Sequence, residues 1–144
     1  MTPTTNLKGL ATITFFADDI AAAKKWYSEL LGIDAYYAFP NAEAPVYIEF
    51  RIGDYEHELG FIDRRYAPKL AVPGVGGAVA YWHVTDVTAT FEKLLSMGAT
   101  AYEPVTPRGE AGDFITASVV DPFGNILGIM YNPHYLQILD QRGK

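Results

Sequence analysis

Apolar and polar residues alternate with a period of two near the start of the chain, and the period then changes. Ile13 and Phe15 alternate with Thr12 and Thr14, which predicts a half-buried β-strand. The segment after Asp18–Asp19 has apolar residues at helical spacing, at Ile20, Ala23, Tyr27 and Leu30. We therefore predict a strand followed by an amphipathic helix, with one of the two aspartates as the N-cap.

The same pattern returns 67 residues later, where Asp86 corresponds to Asp19. Before Asp86, two sets of residues alternate: Ala80, Trp82 and Val84 against Val79, Tyr81 and His83. A second apolar stripe follows, at Val87, Phe91, Leu94 and Leu95. Gly32 and Gly98 stand where a helix C-terminus favours a residue that tolerates positive φ. Three β-like segments follow each helix, so each half predicts a βαβββ unit.

The predicted organisation is a single α+β domain made of two tandem modules. Module 1 spans about 9–66 and module 2 about 78–132, with a linker at about 67–77 and a C-terminal tail at 133–144. The linker is rich in Pro and Gly, as connecting segments often are. Its "GVGG" stretch lacks the Lys and Ser/Thr of a phosphate-binding loop, so we assign it no ligand.

Composition excludes several classes of protein. The 144 residues carry a formal net charge of -6 and contain no cysteine, so disulfides and thiolate metal sites are excluded. Basic residues are not clustered, and we expect no nucleic-acid partner. No apolar run approaches the ~20 residues of a membrane span, and the first ten residues lack a signal-peptide core. We therefore expect a cytoplasmic protein that does not bind membranes.

The order of these motifs resembles the vicinal oxygen chelate superfamily, which includes glyoxalase I, bleomycin-resistance proteins and extradiol dioxygenases. The resemblance rests on "ADDI" and "WYSELLG" in the first module, and on "HVTDV" and "VVDPFGNILGI" in the second. It implies curved mixed sheets around a cup-shaped cavity. It also implies pairing of modules within or between chains, and we predict a homodimer.

The resemblance further implies four metal-ligand positions, which fall here on Thr12, Gly60, Val79 and Gly128. Glycine and valine offer no side-chain donor, and threonine is a weak ligand. A shift of register would restore one ligand at most, for instance Glu58. We therefore predict that the protein holds no metal and no other cofactor.

One segment, "EHELG" at 56–60, is dense in possible metal donors. Along a strand, Glu56 and Glu58 would share one face and His57 would point to the other. The three side chains would not converge on one ion, so we predict a solvated hairpin edge that carries charges.

Strand parity predicts the lining of the cavity: Thr12, Thr14, Phe16, Tyr81 and His83, with Tyr47 and Glu49 as neighbours. The opposite faces, with Phe15 and Trp82, should pack against the helices, and Trp26 should lie in the core. For His83 the alternatives are a structural, hydrogen-bonded histidine at a strand end and a catalytic residue. We expect His134 to pack in the tail.

Three functions are compatible with this pattern. The first is a metal-free binding protein of the bleomycin-resistance type, which sequesters a partly aromatic or cationic compound. The second is a lyase, isomerase or dioxygenase that uses a relocated metal or acid–base groups. The candidate acid–base groups are Glu49, Glu58, Glu103, His83 and a tyrosine. The third is a structural or regulatory protein without a ligand, since one fold serves many functions.

Overall fold

The structure is a computed structural model that describes residues 10–67 and 78–143. The chain divides into two compact units, Met1–Ala67 and Pro68–Lys144. The first contains β1 (Thr12–Ala17), α1 (Ile20–Leu31), β2 (Tyr37–Phe39), β3 (Tyr47–Ile52), β4 (His57–Asp63) and a 3₁₀ turn (Arg64–Tyr66). The second contains β5 (Ala80–His83), α2 (Val87–Ser96), β6 (Thr100–Arg108), β7 (Phe114–Val120), β8 (Ile126–Tyr131) and α3 (Pro133–Arg142).

Both units have the same sheet topology, and the predicted α+β class with two tandem βαβββ units is confirmed. The first sheet has the order β1-β4-β3-β2, and the second has the equivalent order β5-β8-β7-β6. In each sheet the first strand pairs in parallel with the last, and the other pairs are antiparallel. The sheets are therefore mixed, and each parallel pair is joined by a connection that includes the helix.

Alternation along β1 separates the two faces of the first sheet. Phe15 is buried and packs edge-on against Tyr27 of α1 and Phe61 of β4. Thr12 and Thr14 point the other way and are exposed, and Phe16 is half-buried. We call the face opposite α1 the first front face; it carries Thr12, Thr14, Phe16, Tyr47, Glu49, Arg51, Glu58 and Gly60.

The second sheet repeats this separation. Trp82 pairs in register with Ile129, whereas Tyr81 pairs with Gly128. Because Trp82 is equivalent to Phe15 in the repeat, its face is the one that packs on α2, where Val87 and Leu94 are buried. The opposite face, here the second front face, carries Tyr81, His83, Thr116, Ser118, Gly128 and Met130.

Local chemistry fixes the ends of the elements. Asp19 and Asp86 cap α1 and α2, each accepting a backbone N–H at 3.0 Å, as the predicted N-caps require. In the "DPFGN" turn, the buried Asp121 accepts from the backbone N–H groups of Phe123 and Asn125 at 2.9 and 2.8 Å. This turn sets the start of β8, on which Gly128 lies.

Several elements differ in detail from their predictions. The C-terminal tail contains helix α3, with Asn132 as its N-cap and a proline in its first turn. The strand predicted within 33–39 is only three residues long, Tyr37–Phe39. Leu95 is 37% exposed, and Trp26 is half-buried, with its ring against Tyr27. No helix within the described residues is long and apolar enough to cross a membrane.

The hairpin at 56–60 also differs from its prediction. Strand β4 lies between β1 and β3, so it is an interior strand and not an edge. Glu56 stands before the strand, in the turn, with a φ of 55°. His57 stacks on Tyr55 instead of facing a metal site. Glu58 therefore lies inside the first sheet, on its front face.

Candidate functional site

The first front face holds a carboxylate that accepts two phenol hydroxyl groups. Glu49 lies on β3, and the hydroxyl of Tyr36 donates to its Oε1. The hydroxyl of Tyr47 donates to the other oxygen, Oε2, at 2.5 Å. The ring of Tyr37 lies 6.3 Å from that of Tyr47, centroid to centroid. One carboxylate is thus held between aromatic side chains that offer both flat surfaces and hydrogen bonds.

A second carboxylate on the same face holds a planar cation. Glu58 accepts a hydrogen bond from the Thr12 hydroxyl at 2.6 Å and pairs with Arg51 at 3.2 Å. The guanidinium carbon of Arg51 lies 4.8 Å from the centroid of the Tyr36 ring. Such cation–π contacts favour planar, weakly hydrated cations. A carboxylate and an aromatic ring therefore already cooperate to bind one guanidinium group here.

Electrostatics couple these groups. Burial raises the pKa of Glu49 above its usual value, and the nearby charge of Glu58 raises it further, while Arg51 opposes the shift. The pKa of Tyr47 is also raised, mainly by burial and then by the charge of Glu58. Each ionised carboxylate thus disfavours further negative charge beside it, so a positively charged group placed near Glu49 would be stabilised.

Tyr47 also fills the space beside a glycine. Gly60 is buried, and a Cβ placed on it would lie 2.8 Å from Cζ of Tyr47 and still closer to the hydroxyl oxygen. In real structures a Cβ atom essentially never lies within 3.0 Å of a non-bonded heavy atom. A side chain at position 60 therefore requires Tyr47 to move.

The second front face has an equivalent arrangement. A Cβ placed on Gly128 would lie 2.7 Å from Cδ1 of Tyr81 and 2.9 Å from the carbonyl oxygen of Ala80. Tyr81 pairs with Gly128 in the β5–β8 register, as Thr14 pairs with Gly60 in the β1–β4 register. In both units a tyrosine ring therefore lies over the glycine of the last strand.

These residues do not fit a metal ion at the positions that the resemblance implies. Two of the four positions are glycines covered by tyrosine rings. Thr12 lies opposite Glu58 instead of Gly60, and its hydroxyl is bonded to that carboxylate. Within residues 10–67 and 78–143, no three histidine, aspartate or glutamate side chains cluster so as to hold a metal.

His83 has a structural role on the second front face. Its Nδ1 accepts the backbone N–H of Asn132 at 3.0 Å. Its ring stacks on Tyr135 of α3, 4.8 Å away, and lies 5.2 Å from that of Tyr131. These contacts join the end of β5 to the start of α3 and favour the structural alternative for His83, while its predicted place in a ligand site stays a prediction. His134, in contrast, is exposed.

The predicted site residues are divided between the front faces of the two units. Those of the first unit share the first front face: Thr12, Thr14, Phe16, Tyr47 and Glu49. Tyr81 and His83 lie on the second front face. Convergence of the two groups on one cavity stays a prediction.

Three residues of the network are missing from the predicted cavity lining: Tyr36, Arg51 and Glu58, of which Glu58 was predicted only as a candidate acid–base group. Parity along β3 would have found Arg51, since it stands two residues after Glu49. Glu58 stands two residues before Gly60 on β4, so the same parity applies. Tyr36 precedes the short strand β2, where no alternation signals its direction.

Comparison with known proteins identifies the family. The family model described as the Glyoxalase/Bleomycin resistance protein/Dioxygenase superfamily matches residues 9–129. The chain belongs to this superfamily. A virulence protein of Salmonella typhimurium is 26% identical over 113 residues, which are 77% of this chain and 75% of that protein.

Solved structures of the superfamily fold agree with this assignment. A glyoxalase-related enzyme from Fulvimarina pelagi superposes with a TM-score of 0.68 at 24% identity, covering 88% of this chain and 90% of that one. The crystal structure of the Salmonella typhimurium virulence protein gives 0.61 at 21% identity, covering 86% and 97%. At these identities the likeness establishes only the fold of this superfamily member.

Proposed function

We propose that this superfamily member is a metal-free small-molecule-binding protein whose first front face takes a planar, aromatic organic cation. The observation that carries the proposal is the pair of tyrosine hydroxyls donating to Glu49. Beside this group, Glu58 and the Tyr36 ring already hold the guanidinium of Arg51. The carboxylate of Glu49 would attract the positive charge of the ligand. The rings of Tyr36 and Tyr37, 50% and 47% exposed, offer flat apolar surface for its aromatic part.

Net charge supports a cation over an anion. The protein carries a formal net charge of -6, which raises the local concentration of positively charged ligands. Arg51, the cation on this part of the face, is engaged with Glu58. An anionic ligand would meet two carboxylates there, and a neutral one would leave Glu49 without a counter-charge.

Benzamidine and benzamide provide a direct test, because they have nearly the same shape and differ in charge. We expect wild-type protein to bind benzamidine at least five-fold more tightly than benzamide in a calorimetric titration at low salt. Glu49→Gln should remove that preference while keeping the side-chain shape. Glu43→Gln removes an equal charge from an exposed loop position and should leave the preference intact.

Equal affinity for the two compounds in wild-type protein would refute a cation site. So would a preference that survives Glu49→Gln. A preference lost equally in Glu43→Gln and Glu49→Gln would show that only long-range charge acts, and would also refute the site.

A second candidate is an enzyme that removes a proton from carbon. It is favoured by the raised pKa of Glu49, because a carboxylate with a raised pKa is a stronger base near neutrality. Glu49 would take the proton of a C–H bond next to a carbonyl group, the electron pair would form an enolate, and the proton would then return. Neither His83, which accepts a backbone N–H, nor Glu103, which lies 3.7 Å from Arg108, has a comparable setting.

Solvent exchange distinguishes the enzyme from the binding protein. If Glu49 is a base, wild-type protein in D₂O should exchange the carbon-bound protons of 2-hydroxyacetophenone faster than Glu49→Gln does. Proton NMR follows this loss directly. Equal rates for the two proteins would exclude the enzymatic role for this substrate class.

We also propose that the protein is a homodimer, as is common in the superfamily. Exposed aromatic side chains stand on the edge strands: Phe39 on β2 is 54% exposed and Tyr102 on β6 is 51% exposed. An exposed edge strand with apolar side chains is a template for pairing with another chain, and twofold dimers are the commonest homo-oligomers. Light scattering should give twice the chain mass at micromolar concentration, and a monomeric mass would refute the dimer.

A further inference from the structure

One buried hydroxyl on the second front face has no partner. Ser118 is 1% exposed, and its Oγ makes no hydrogen bond within the described residues. A hydroxyl shielded from water without a partner is costly, and native proteins rarely keep one without a reason. The neighbouring hydroxyl on the same strand and face, that of Thr116, accepts from Nε of Arg108 at 2.9 Å. Ser118 is thus the exception on its own strand.

The row of residues across the sheet shows what surrounds this hydroxyl. Ser118 on β7 pairs with Gly128 on β8 and with Glu103 on β6. Gly128 in turn pairs with Tyr81 on β5. The Tyr81 ring lies over Gly128, the residue between Tyr81 and Ser118 in the row. Tyr81 itself is 39% exposed, so its ring lies between Gly128 and solvent.

We propose that Ser118, Gly128 and Tyr81 form a ligand subsite for a flat ring that carries a neutral carbonyl or hydroxyl group. The Tyr81 ring turns aside, the ligand ring takes its place over the bare backbone of Gly128, and the ligand's polar group pairs with the Ser118 hydroxyl. The subsite rests on the proposed function, since it assumes that the protein binds small molecules, but it uses none of the residues of the first front face.

The repeat explains why this subsite should take a neutral group. Ser118 is equivalent to Glu49, because each lies opposite the covered glycine of its sheet. A carboxylate therefore occupies this position in one unit and a neutral hydroxyl in the other. Burying an uncompensated charge beside Ser118 would be far more costly than burying a neutral polar group.

Acetophenone and α-methylstyrene test the subsite, because they differ only in a carbonyl oxygen in place of a CH₂ group. Titrations followed by the backbone amide NMR signals of Ser118 and Gly128 report the affinity at this position. We expect wild-type protein to prefer acetophenone at least five-fold, and Ser118→Ala to bind both compounds equally. The control Ser96→Ala removes an exposed serine hydroxyl from the end of α2 and should keep the preference.

Two further measurements strengthen the test. Unliganded Ser118→Ala should melt at the same temperature as wild type or higher, because it loses an unpaired hydroxyl. A lower melting temperature would show that the hydroxyl already has a partner, which would overturn the proposal. Tyr81→Ala removes the competing ring and should bind acetophenone more tightly than wild type.

A preference retained in Ser118→Ala, or no response of Ser118 and Gly128 to acetophenone, would overturn the subsite. These outcomes are separate from the fate of the proposed function. If the subsite alone is wrong, benzamidine still binds in a Glu49-dependent way. If the cation site alone is wrong, the acetophenone preference persists without any effect of Glu49→Gln.

Discussion

Tyr47 and Gly60 form an interlocked pair on the first front face. The Tyr47 ring occupies the space that a side chain at position 60 would need, with Cζ 2.8 Å from the place of a Cβ atom. At the same time the Tyr47 hydroxyl donates to Glu49. The glycine thus allows the tyrosine to reach the carboxylate, and the resemblance places a metal ligand at that same glycine.

Gly60→Ala tests this pair. We expect the substitution to cost about 1–3 kcal/mol of unfolding free energy, the usual range for overpacking a filled site. In a Tyr47→Ala background the same change should cost much less, because the space beside Gly60 is then empty. Urea unfolding of the four proteins gives the coupling energy, and additive effects would show that the two residues do not contact.

Tyr81 and Trp82 test the assignment of the two faces of the second sheet. Trp82 is half-buried on the helix-packed face, so Trp82→Ala should destabilise the protein by about 3 kcal/mol or less, the lower end of the range for buried large-to-small changes. Tyr81→Ala should cost far less, since the Tyr81 ring lies in an outer, partly exposed layer. Thermal midpoints of the two variants decide the matter, and the reverse order would mean that the faces are exchanged.

Asp63 should make stability depend on pH. The carboxylate of Asp63 accepts bonds from Arg65 at 2.9 and 3.1 Å, and these bonds lower its pKa below the usual value. A lowered folded-state pKa gives stability that is present above the unfolded pKa and is lost as the pH falls through the folded pKa. Asp63→Asn should therefore be less stable than wild type at pH 7, and the difference should shrink in acid.

Asp18→Asn is the control for Asp63. Asp18 pairs with Arg64 at 3.1 Å, but its side chain is 85% exposed, and exposed pairs contribute little. Melting curves between pH 2 and 7 should show Asp63→Asn less stable than wild type near pH 7 and approaching it in acid, whereas Asp18→Asn should stay close to wild type throughout. Equal behaviour of the two variants would contradict the role of the Asp63–Arg65 pair.

Glu49 should make cation binding depend on pH. Its raised pKa means that the carboxylate gains a proton at a higher pH than usual. The protonated form carries no charge, so benzamidine affinity should fall as the pH drops through the pKa of Glu49, and this fall should come at a higher pH than for an ordinary carboxylate. Calorimetry from pH 4 to 8 measures this, and in Glu49→Gln the affinity should no longer show this step.

Period-two and helical patterns predicted most of the fold because each strand and helix has one buried face. For example, the apolar Phe15 is buried and the polar Thr14 is exposed. Asp19 marks the start of α1 because its side chain accepts a backbone N–H of the first turn. Parity along β1 also placed the predicted residues of the first unit on one face. These features depend on short-range sequence alone.

The site network depends on register between strands, which parity does not give. The pairing of Thr12 with Glu58 and the reach of Tyr47 over Gly60 follow from how β1 and β3 align with β4. Helix α3 was not predicted because it has no buried apolar face. Its Leu136 and Ile138 are exposed. The Asn132–Pro133 start signal was present in the sequence and would have indicated it.

We propose that Glu49 and its tyrosines bind an organic cation without a metal. Calorimetric titration of benzamidine before and after dialysis against EDTA, with elemental analysis of the same samples, tests it most directly. We predict no stoichiometric zinc, nickel, manganese or iron, and the same benzamidine affinity in both samples. One tightly held metal ion per chain, or benzamidine binding that disappears with EDTA, would contradict the account.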